Sequence, residues 1–153
     1  MTNRTHIGIC AAISMVVIGL AAPRASAQVT FEQVETATTA AFTNLDITKP
    51  SGTVEDELLI AIIQSEKNSA INSPAGWTVI ADALDGNKNQ ARTKVFYKVA
   101  GPSEPTLYTF TSSDNKKGLG AILRYSGNDP TDPIDVSGSV TGSSINPTAP
   151  DVT

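Results

Sequence analysis

Apolar and polar positions alternate along residues 93–110, on either side of a loop that contains Gly101, Pro102 and Pro105. This period of two is typical of β-strands that place one face on a core. The alternation predicts which residues line the core: Val95, Tyr97, Val99, Tyr108 and Phe110. Four of the eight aromatic residues lie in this stretch, so we expect a hairpin at the centre of the fold.

Other apolar segments predict further strands. The six apolar residues from 58 to 63 suit a buried strand over 57–64, although the acidic triplet before them could also open a helix. Residues 77–81 and 118–126 also indicate strands. In the second of these, one side carries Leu119, Ala121, Leu123 and Tyr125. Further short β stretches are predicted at 134–140.

Turn signals separate these segments at intervals of about ten residues, which favours an antiparallel β-sandwich or barrel. One such signal is Asp85-Gly86-Asn87. The glycines of the G-L-G sequence at 118–120 lack the following helix and third glycine of a phosphate loop, so a bulge or close packing explains them better. The predicted fold class is therefore all-β.

The first 27 residues resemble an export signal. An apolar run at 7–22 follows Arg4 and ends before an Ala-Ser-Ala cleavage sequence at 25–27. The run is short for a membrane span, so an uncleaved anchor is the weaker alternative. We therefore predict a signal peptide over 1–27, an N-terminal arm or first strand over 28–43, and a β-sandwich domain over 44–153.

Removal of this segment changes the available chemistry. It takes away the sole histidine, His6, and the sole cysteine, Cys10. Catalytic triads, thiol nucleophiles and imidazole or thiolate metal sites then lack their residues. Arg4 and Arg24 leave too, so nine of the 11 basic residues remain against 15 acidic ones, a net charge of −6. Such a surface repels phosphate, which argues against nucleic acid and anionic membranes as partners.

Three separated sequence blocks carry a family resemblance. They are G-W-T-x-I at 76–80, Y-K-V-A-G-x-S-E-P-x-x-Y-x-F at 97–110 and Y-S-G-x-D-x-x-x-P-I-D at 125–135, preceded by an apolar strand at 56–61. Over residues 43–153 the chain resembles a poorly characterised β-sandwich domain of secreted bacterial proteins and of phage virion or tail proteins. The resemblance implies a jelly-roll-like sandwich displayed outside the cell, and it implies no activity.

In that family, further strands follow the segment that matches 149–153. The resemblance therefore implies a sandwich without its C-terminal strands. An uncovered sheet edge invites another strand, and the Thr- and Val-rich arm at 29–43 could supply one. We expect self-association through strand exchange to be possible.

Two residues are candidates for ligand binding. Trp77, the sole tryptophan, could stack on a sugar ring, although a lone tryptophan at a strand start more often lies in the core. Glu104 is the acid in the loop after residue 100, where loop packing or capping explains it better than catalysis.

A third candidate site is a calcium site in the segment N-D-P-T-D-P-I-D. Asp129, Asp132 and Asp135 offer the hard oxygen ligands that Ca²⁺ prefers, and Asn128 adds an amide oxygen. The spacing lacks the glycine and terminal glutamate of an EF-hand loop, and the prolines explain these acids as turn residues. We therefore expect no cofactor.

These observations predict an exported, non-enzymatic β-sandwich with a surface, adhesive or structural role. The alternative is a carbohydrate-binding module derived from a larger secreted enzyme. The expected location is extracellular or on the cell envelope, and the expected partner is a surface glycan or a protein.

Overall fold

The computed structural model describes residues 28–84, 91–113 and 115–138. In this part of the chain there are eight β-strands and no helix. The strands are β1 (Thr30–Thr39), β2 (Asn44–Thr48), β3 (Leu58–Glu66), β4 (Ile71–Asn72), β5 (Thr78–Leu84), β6 (Ala91–Val99), β7 (Leu107–Ser112) and β8 (Gly118–Ser126). Accordingly, the described ranges hold no apolar helix of membrane-spanning length.

The strands form two antiparallel sheets. The larger sheet has the order β1-β8-β3-β6-β5, and the smaller sheet has the order β2-β7-β4. This arrangement confirms the predicted all-β class and the antiparallel β-sandwich. The continuous apolar run after residue 57 forms β3, which is the central strand of the larger sheet. Its residues Leu59, Ala61 and Ile63 face the core, while Ile60 and Ile62 between them lie on the other face of the sheet.

The core lies between the two sheets. The larger sheet contributes Leu59, Ala61 and Ile63 from β3, with Phe96 and Ile122 from the strands beside it. The smaller sheet and the segments next to it contribute a second set: Phe42, Leu45, Ile47, Ile71, Trp77, Tyr108 and Phe110. The aromatic rings of the two sheets meet, since the ring centroids of Phe96 and Phe110 lie 5.7 Å apart.

The prediction of a central hairpin at 93–110 is wrong. Its two strands exist, but β6 belongs to the larger sheet and β7 to the smaller one. Residues 100–106 therefore carry the chain from one sheet to the other, across the edge of the core. Three of the four aromatic residues at 93–110, Phe96, Tyr108 and Phe110, do lie in the core, where Phe96 and Phe110 contact each other between the sheets and not across a hairpin.

The predicted core face of this stretch is also wrong for β6. Phe96 is buried in the core, whereas Val95, Tyr97 and Val99 lie half-buried on the opposite face of the sheet. In β8 the core-facing residues include Gly118, Gly120 and Ile122, so the side with Leu119 faces away from the core. Tyr108 and Phe110 of β7 do point into the core.

Close packing explains the two glycines of β8. A Cβ atom added to Gly118 would overlap the ring of Phe42, and one added to Gly120 would lie 2.7 Å from Cδ1 of Ile63. Both values are well inside ordinary carbon–carbon contact, which is about 3.5–4.0 Å. The register of β8 against both neighbours is continuous at these positions. Of the two explanations drawn from the sequence, close packing is therefore the correct one.

Several predictions fall wholly or partly outside the described residues. These are the signal peptide over 1–27, the turn at 85–87 and the C-terminal segment at 149–153. The β stretch predicted at 134–140 is described only to residue 138, and no strand is present over 134–138. The arm or first strand predicted at 28–43 contains β1, which pairs along its length with β8 of the same chain.

Candidate functional site

Glu104 sits at the centre of a hydrogen-bonded cluster in the crossing between β6 and β7. Its Oε1 accepts a hydrogen bond from the backbone N–H of Gly101 at 2.7 Å, and its Oε2 accepts one from the Tyr108 hydroxyl at 2.7 Å. The Lys98 Nζ lies 3.1 Å from Oε2, and only 4% of the Glu104 side chain is exposed. Each carboxylate oxygen therefore has a protein partner.

The charges of this cluster are fixed by those contacts. Burial alone would raise the pKa of Glu104, but the hydrogen bonds from Gly101 and Tyr108 and the Lys98 charge outweigh it and lower the pKa. Burial and the neighbouring carboxylate both raise the pKa of Tyr108. The result is an ionised glutamate and a neutral phenol. Both are held in place, and neither is poised to exchange a proton near neutral pH.

Trp77 lies in the core, which is the alternative that the sequence favoured over a sugar platform. Only 8% of the residue is exposed. Its ring makes edge-on contacts with Tyr108 at 5.1 Å and with Phe110 at 5.6 Å between centroids. Through Tyr108, the tryptophan packs against the Glu104 cluster. The two predicted ligand-binding residues therefore belong to one connected structural unit.

The acids proposed as calcium ligands do not converge. Asp129 accepts hydrogen bonds from the backbone N–H and the hydroxyl of Thr131, at 2.9 Å and 2.6 Å, which forms a local turn. Asp132 and Asp135 are exposed. Among the residues described, no group of three or more histidine, cysteine or acidic side chains is placed to hold a metal ion. The amide of Asn128 instead binds backbone groups, with its Oδ1 accepting from Leu58 N at 3.1 Å.

A buried ion pair was not identified from the sequence. The acidic triplet before β3, which the sequence offered only as a possible helix start, includes Glu57, and Glu57 is only 8% exposed. Its Oε1 lies 2.7 Å from Nη1 of Arg124, and its Oε2 accepts a hydrogen bond from Val54 N at 2.9 Å. Arg124 also donates to the carbonyl of Gly52 at 2.9 Å. Arg124 is the one charged residue in the strand predicted over 118–126, and this was the sequence feature that could have indicated the ion pair.

The face of the larger sheet that points away from the core is unusual in composition. Directly paired residues of antiparallel strands share a face, so the register defines four rows across this outer face. The rows are Phe31-Tyr125-Leu58-Val99, Val34-Leu123-Ile60-Tyr97-Thr78, Thr36-Ala121-Ile62-Val95-Ala81 and Thr38-Leu119-Gln64-Thr93-Ala83. None of these residues is charged, and the few polar ones are threonines and one glutamine. We call this set of four rows the outer face.

Part of the outer face is accessible, whereas Leu58 in its first row is only 4% exposed. Phe31 is 52% exposed, Leu119 48%, Val34 42% and Ile62 39%. Two aromatic rings at one end, Phe31 and Tyr125, contact each other edge-on at 5.7 Å. Single exposed apolar residues are normal on protein surfaces, but a contiguous apolar patch marks an interaction site.

Charged residues of the same sheet lie on its other side. Arg92 and Lys94 alternate with the outer-face residues of β6, and both form ion pairs with Asp82, at 2.6 Å and 3.5 Å. The hydrogen bond from Arg92 lowers the pKa of Asp82. Lys98 and Arg124 point to this side as well, where they bind Glu104 and Glu57. The larger sheet therefore holds these charges beside the core, and the four rows of its outer face carry none. Glu66 of β3 lies on the same side of the sheet as the outer face, just beyond the last row.

An open pocket of about 630 Å³ lies at one end of the outer face. Its lining includes Thr38, Gln64 and Leu119 from the last row, together with Glu66 and Lys117 beyond it. These two side chains bring charge to the end of the face. The pocket walls are mixed in character, and they hold no pair of acids placed for catalysis.

No protein-family model matches the chain, and no curated protein matches it. A comparison with solved structures matches it to the tripod (BppUct-A-L) from the baseplate of bacteriophage Tuc2009. The two share 16% sequence identity with a TM-score of 0.35, over 82% of this chain and 77% of the other. Values this low assign neither a family nor a function.

Proposed function

We propose that this protein is a non-enzymatic structural module of an exported assembly, and that it joins that assembly through its outer face. The observation that carries the proposal is the distribution of charge on the larger sheet. Its outer face is uncharged over four rows, three of which cross all five strands, while Arg92, Lys94, Lys98 and Arg124 lie on the core side. Burying such a face removes apolar surface from water without leaving a charge unpaired.

The chemistry of the other sites supports the same function. Glu104 and Glu57 are the two acids with buried side chains described above, and each is fully engaged in holding a loop or strand end. Proton transfer and covalent catalysis need a group of tuned pKa that is free to react. The contacts of these two acids serve the fold instead.

Carbohydrate binding, the alternative function, has less support. Sugar sites combine an accessible aromatic ring with polar groups that bind hydroxyls. Trp77 is buried, and the aromatic residues of the outer face are surrounded by aliphatic ones. A glycan array on the full-length chain, as processed by the expressing cell, tests this alternative, with no specific binding expected.

Tyrosine footprinting tests the proposed function. Tyr97 and Tyr125 lie on the outer face, whereas Tyr108 is 2% exposed in the core and serves as the internal control. In dilute purified protein we expect nitration of Tyr97 and Tyr125 but not of Tyr108. In the surface or envelope fraction of the cells that produce the protein, we expect Tyr97 and Tyr125 to be protected. Equal labelling in both preparations would show that the outer face is not covered and would refute the proposal.

A further inference from the structure

The composition of the outer face restricts what can cover it. A partner with charged groups over the middle rows would bury them against aliphatic side chains, which is unfavourable unless each charge is paired. No outer-face residue can supply such a pair, since none is charged. The matching surface must itself be apolar and uncharged across about the same area.

The geometry of a sheet adds a second restriction. Five strands about 4.8 Å apart, with rows covering about eight residues at 3.3 Å each, span about 24 Å by 27 Å. The outer face therefore offers at most about 650 Å² per copy, or about 1,300 Å² for two, since its first row lacks a β5 residue and contains the buried Leu58. Stable specific interfaces begin near about 1,200 Å² in total. A partner must thus cover essentially the whole face to form a stable complex, which excludes a short peptide or a single added strand.

A second copy of the same face satisfies both restrictions. It is uncharged, it has the same area, and it carries the same right-handed twist. Sheets of equal twist pack face to face, with their strands at about −30° and a spacing of about 10 Å. Packing of identical faces around a two-fold axis also closes the assembly after two copies.

We infer that this chain forms a two-fold symmetric dimer in which the outer faces of two copies pack against each other. This inference rests on the proposed function and names its partner. It differs from strand exchange, because β1 stays paired with β8 of its own chain. It also leaves the Glu104 cluster and the core unchanged in each copy.

The test uses two outer-face substitutions and a matched control. Ile62→Lys places a charge in the central strand of the outer face, and Leu119→Lys places one in the last row. The control is Leu107→Lys, in β7 of the smaller sheet. Leu107 is 45% exposed and Leu119 is 48% exposed, so the two substitutions change the isolated chain alike. Circular dichroism and Trp77 emission establish that each variant is folded.

Sedimentation velocity of the full-length chain, as processed by the expressing cell, measures association from about 1 µM to 500 µM. We expect the wild type and Leu107→Lys to form dimers with the same dissociation constant. A two-fold dimer buries two new lysines, one from each copy, so we expect the dissociation constant of Leu119→Lys to rise by at least about 100-fold. If Ile62→Lys does not fold, Leu119→Lys and its control still decide the question.

Two results would overturn the inference. A wild type that is monomeric at every concentration would show that the outer face does not bind its own copy. A dimer that persists in both outer-face variants would place the interface elsewhere, as strand exchange would. Neither result refutes the proposed function, because protection of Tyr97 and Tyr125 in the native fraction would then identify a different partner protein.

Discussion

Replacement of Gly120 by alanine tests whether the two sheets pack as closely as the structure shows. The added Cβ would lie 2.7 Å from Ile63 Cδ1, 2.8 Å from Ile47 Cδ1 and 3.0 Å from Leu45 Cδ2. Ile63 belongs to the larger sheet, whereas Ile47 and Leu45 belong to β2 of the smaller one. The new methyl group would therefore push the sheets apart at their centre.

The size of the effect follows from these distances. Ordinary contact between carbon atoms begins near 3.5 Å, so three methyl groups must each move by about 0.5–0.8 Å. All three residues are almost fully buried, at 0–1% exposure, so little room exists for them to move. Overpacking of this kind costs about 1–3 kcal/mol. Alanine also reduces the conformational entropy of the unfolded chain, and this favours folding by about 0.4–1 kcal/mol, which offsets part of the overpacking cost. We expect the free energy of unfolding to decrease by about 1–2 kcal/mol in total, and the melting temperature to fall by about 4–8 °C.

Urea denaturation followed by Trp77 emission measures this loss, with two variants for comparison. At Gly101 an added Cβ meets only a Glu104 oxygen at 3.5 Å, so Gly101→Ala should stay within about 0.5 kcal/mol of the wild type or exceed it slightly. At Gly118 the added atom overlaps the buried Phe42 ring, so Gly118→Ala should lose more than Gly120→Ala. A Gly120→Ala protein as stable as the wild type would refute the close approach of the sheets.

Four further predictions address the acids, the tryptophan and the N-terminus. Because the pKa of Glu104 is lower in the folded chain than its ordinary value of 4.5, the ionised side chain stabilises the fold at pH values above 4.5. This stabilisation is lost as the pH falls through the pKa of the folded state. Glu104→Gln should therefore lower the free energy of unfolding at pH 7 by about 1–3 kcal/mol and should reduce the further decrease in acid. Acid titrations at a fixed urea concentration measure this decrease, and a decrease equal to that of the wild type would contradict the prediction. Emission of Trp77 should be blue-shifted and poorly quenched by iodide, whereas strong quenching would place the ring at the surface. Millimolar Ca²⁺ should move the melting temperature by less than about 1 °C, and a rise of several degrees that is lost in Asp132→Ala would restore the calcium hypothesis. Intact mass of the exported protein should start at Gln28, and a product that keeps residues 1–27 would favour the anchor.

The sequence predicted the long strands, because a period of two and a continuous apolar run are local properties, but it missed the short β4 and placed a strand over 134–138 where none is present. It could not predict to which sheet each strand belongs. The alternation in β6 and β7 is the same for a hairpin and for a crossing between sheets, and the seven residues from 100 to 106 allow either. The outcome depends on non-local pairs, such as β3 with β6 and β2 with β7.

The prediction of the core face in β6 failed for a reason that concerns function. It assumed that the more apolar side of a strand faces the core and that lysines face water. In β6 the side with Lys94 and Lys98 borders the core, because Lys94 donates to the Ile71 carbonyl at 3.1 Å and Lys98 pairs with Glu104. The apolar side, with Tyr97, belongs to the outer face. Alternation detects both surfaces of a sheet but cannot distinguish a core from an interface.

The candidate sites were predictable to different degrees. Trp77 and Glu104 were singled out as residue types, but their connection through Tyr108 needs the crossing between the sheets. The pair of Glu57 and Arg124 joins residues that are 67 positions apart in the chain. Sequence spacing holds no information about such a contact, which becomes visible only when β3 and β8 are placed side by side.

The position of β8 has a consequence for how the chain acquires its fold. This strand, the last one among the described residues, lies between β1 and β3 and pairs with both. Until residue 126 has left the ribosome, β1 has no partner in its sheet and β3 keeps one edge open. A chain in that state exposes apolar strand edges, which is the condition that leads to aggregation. The larger sheet therefore cannot be completed before β8 has been synthesised.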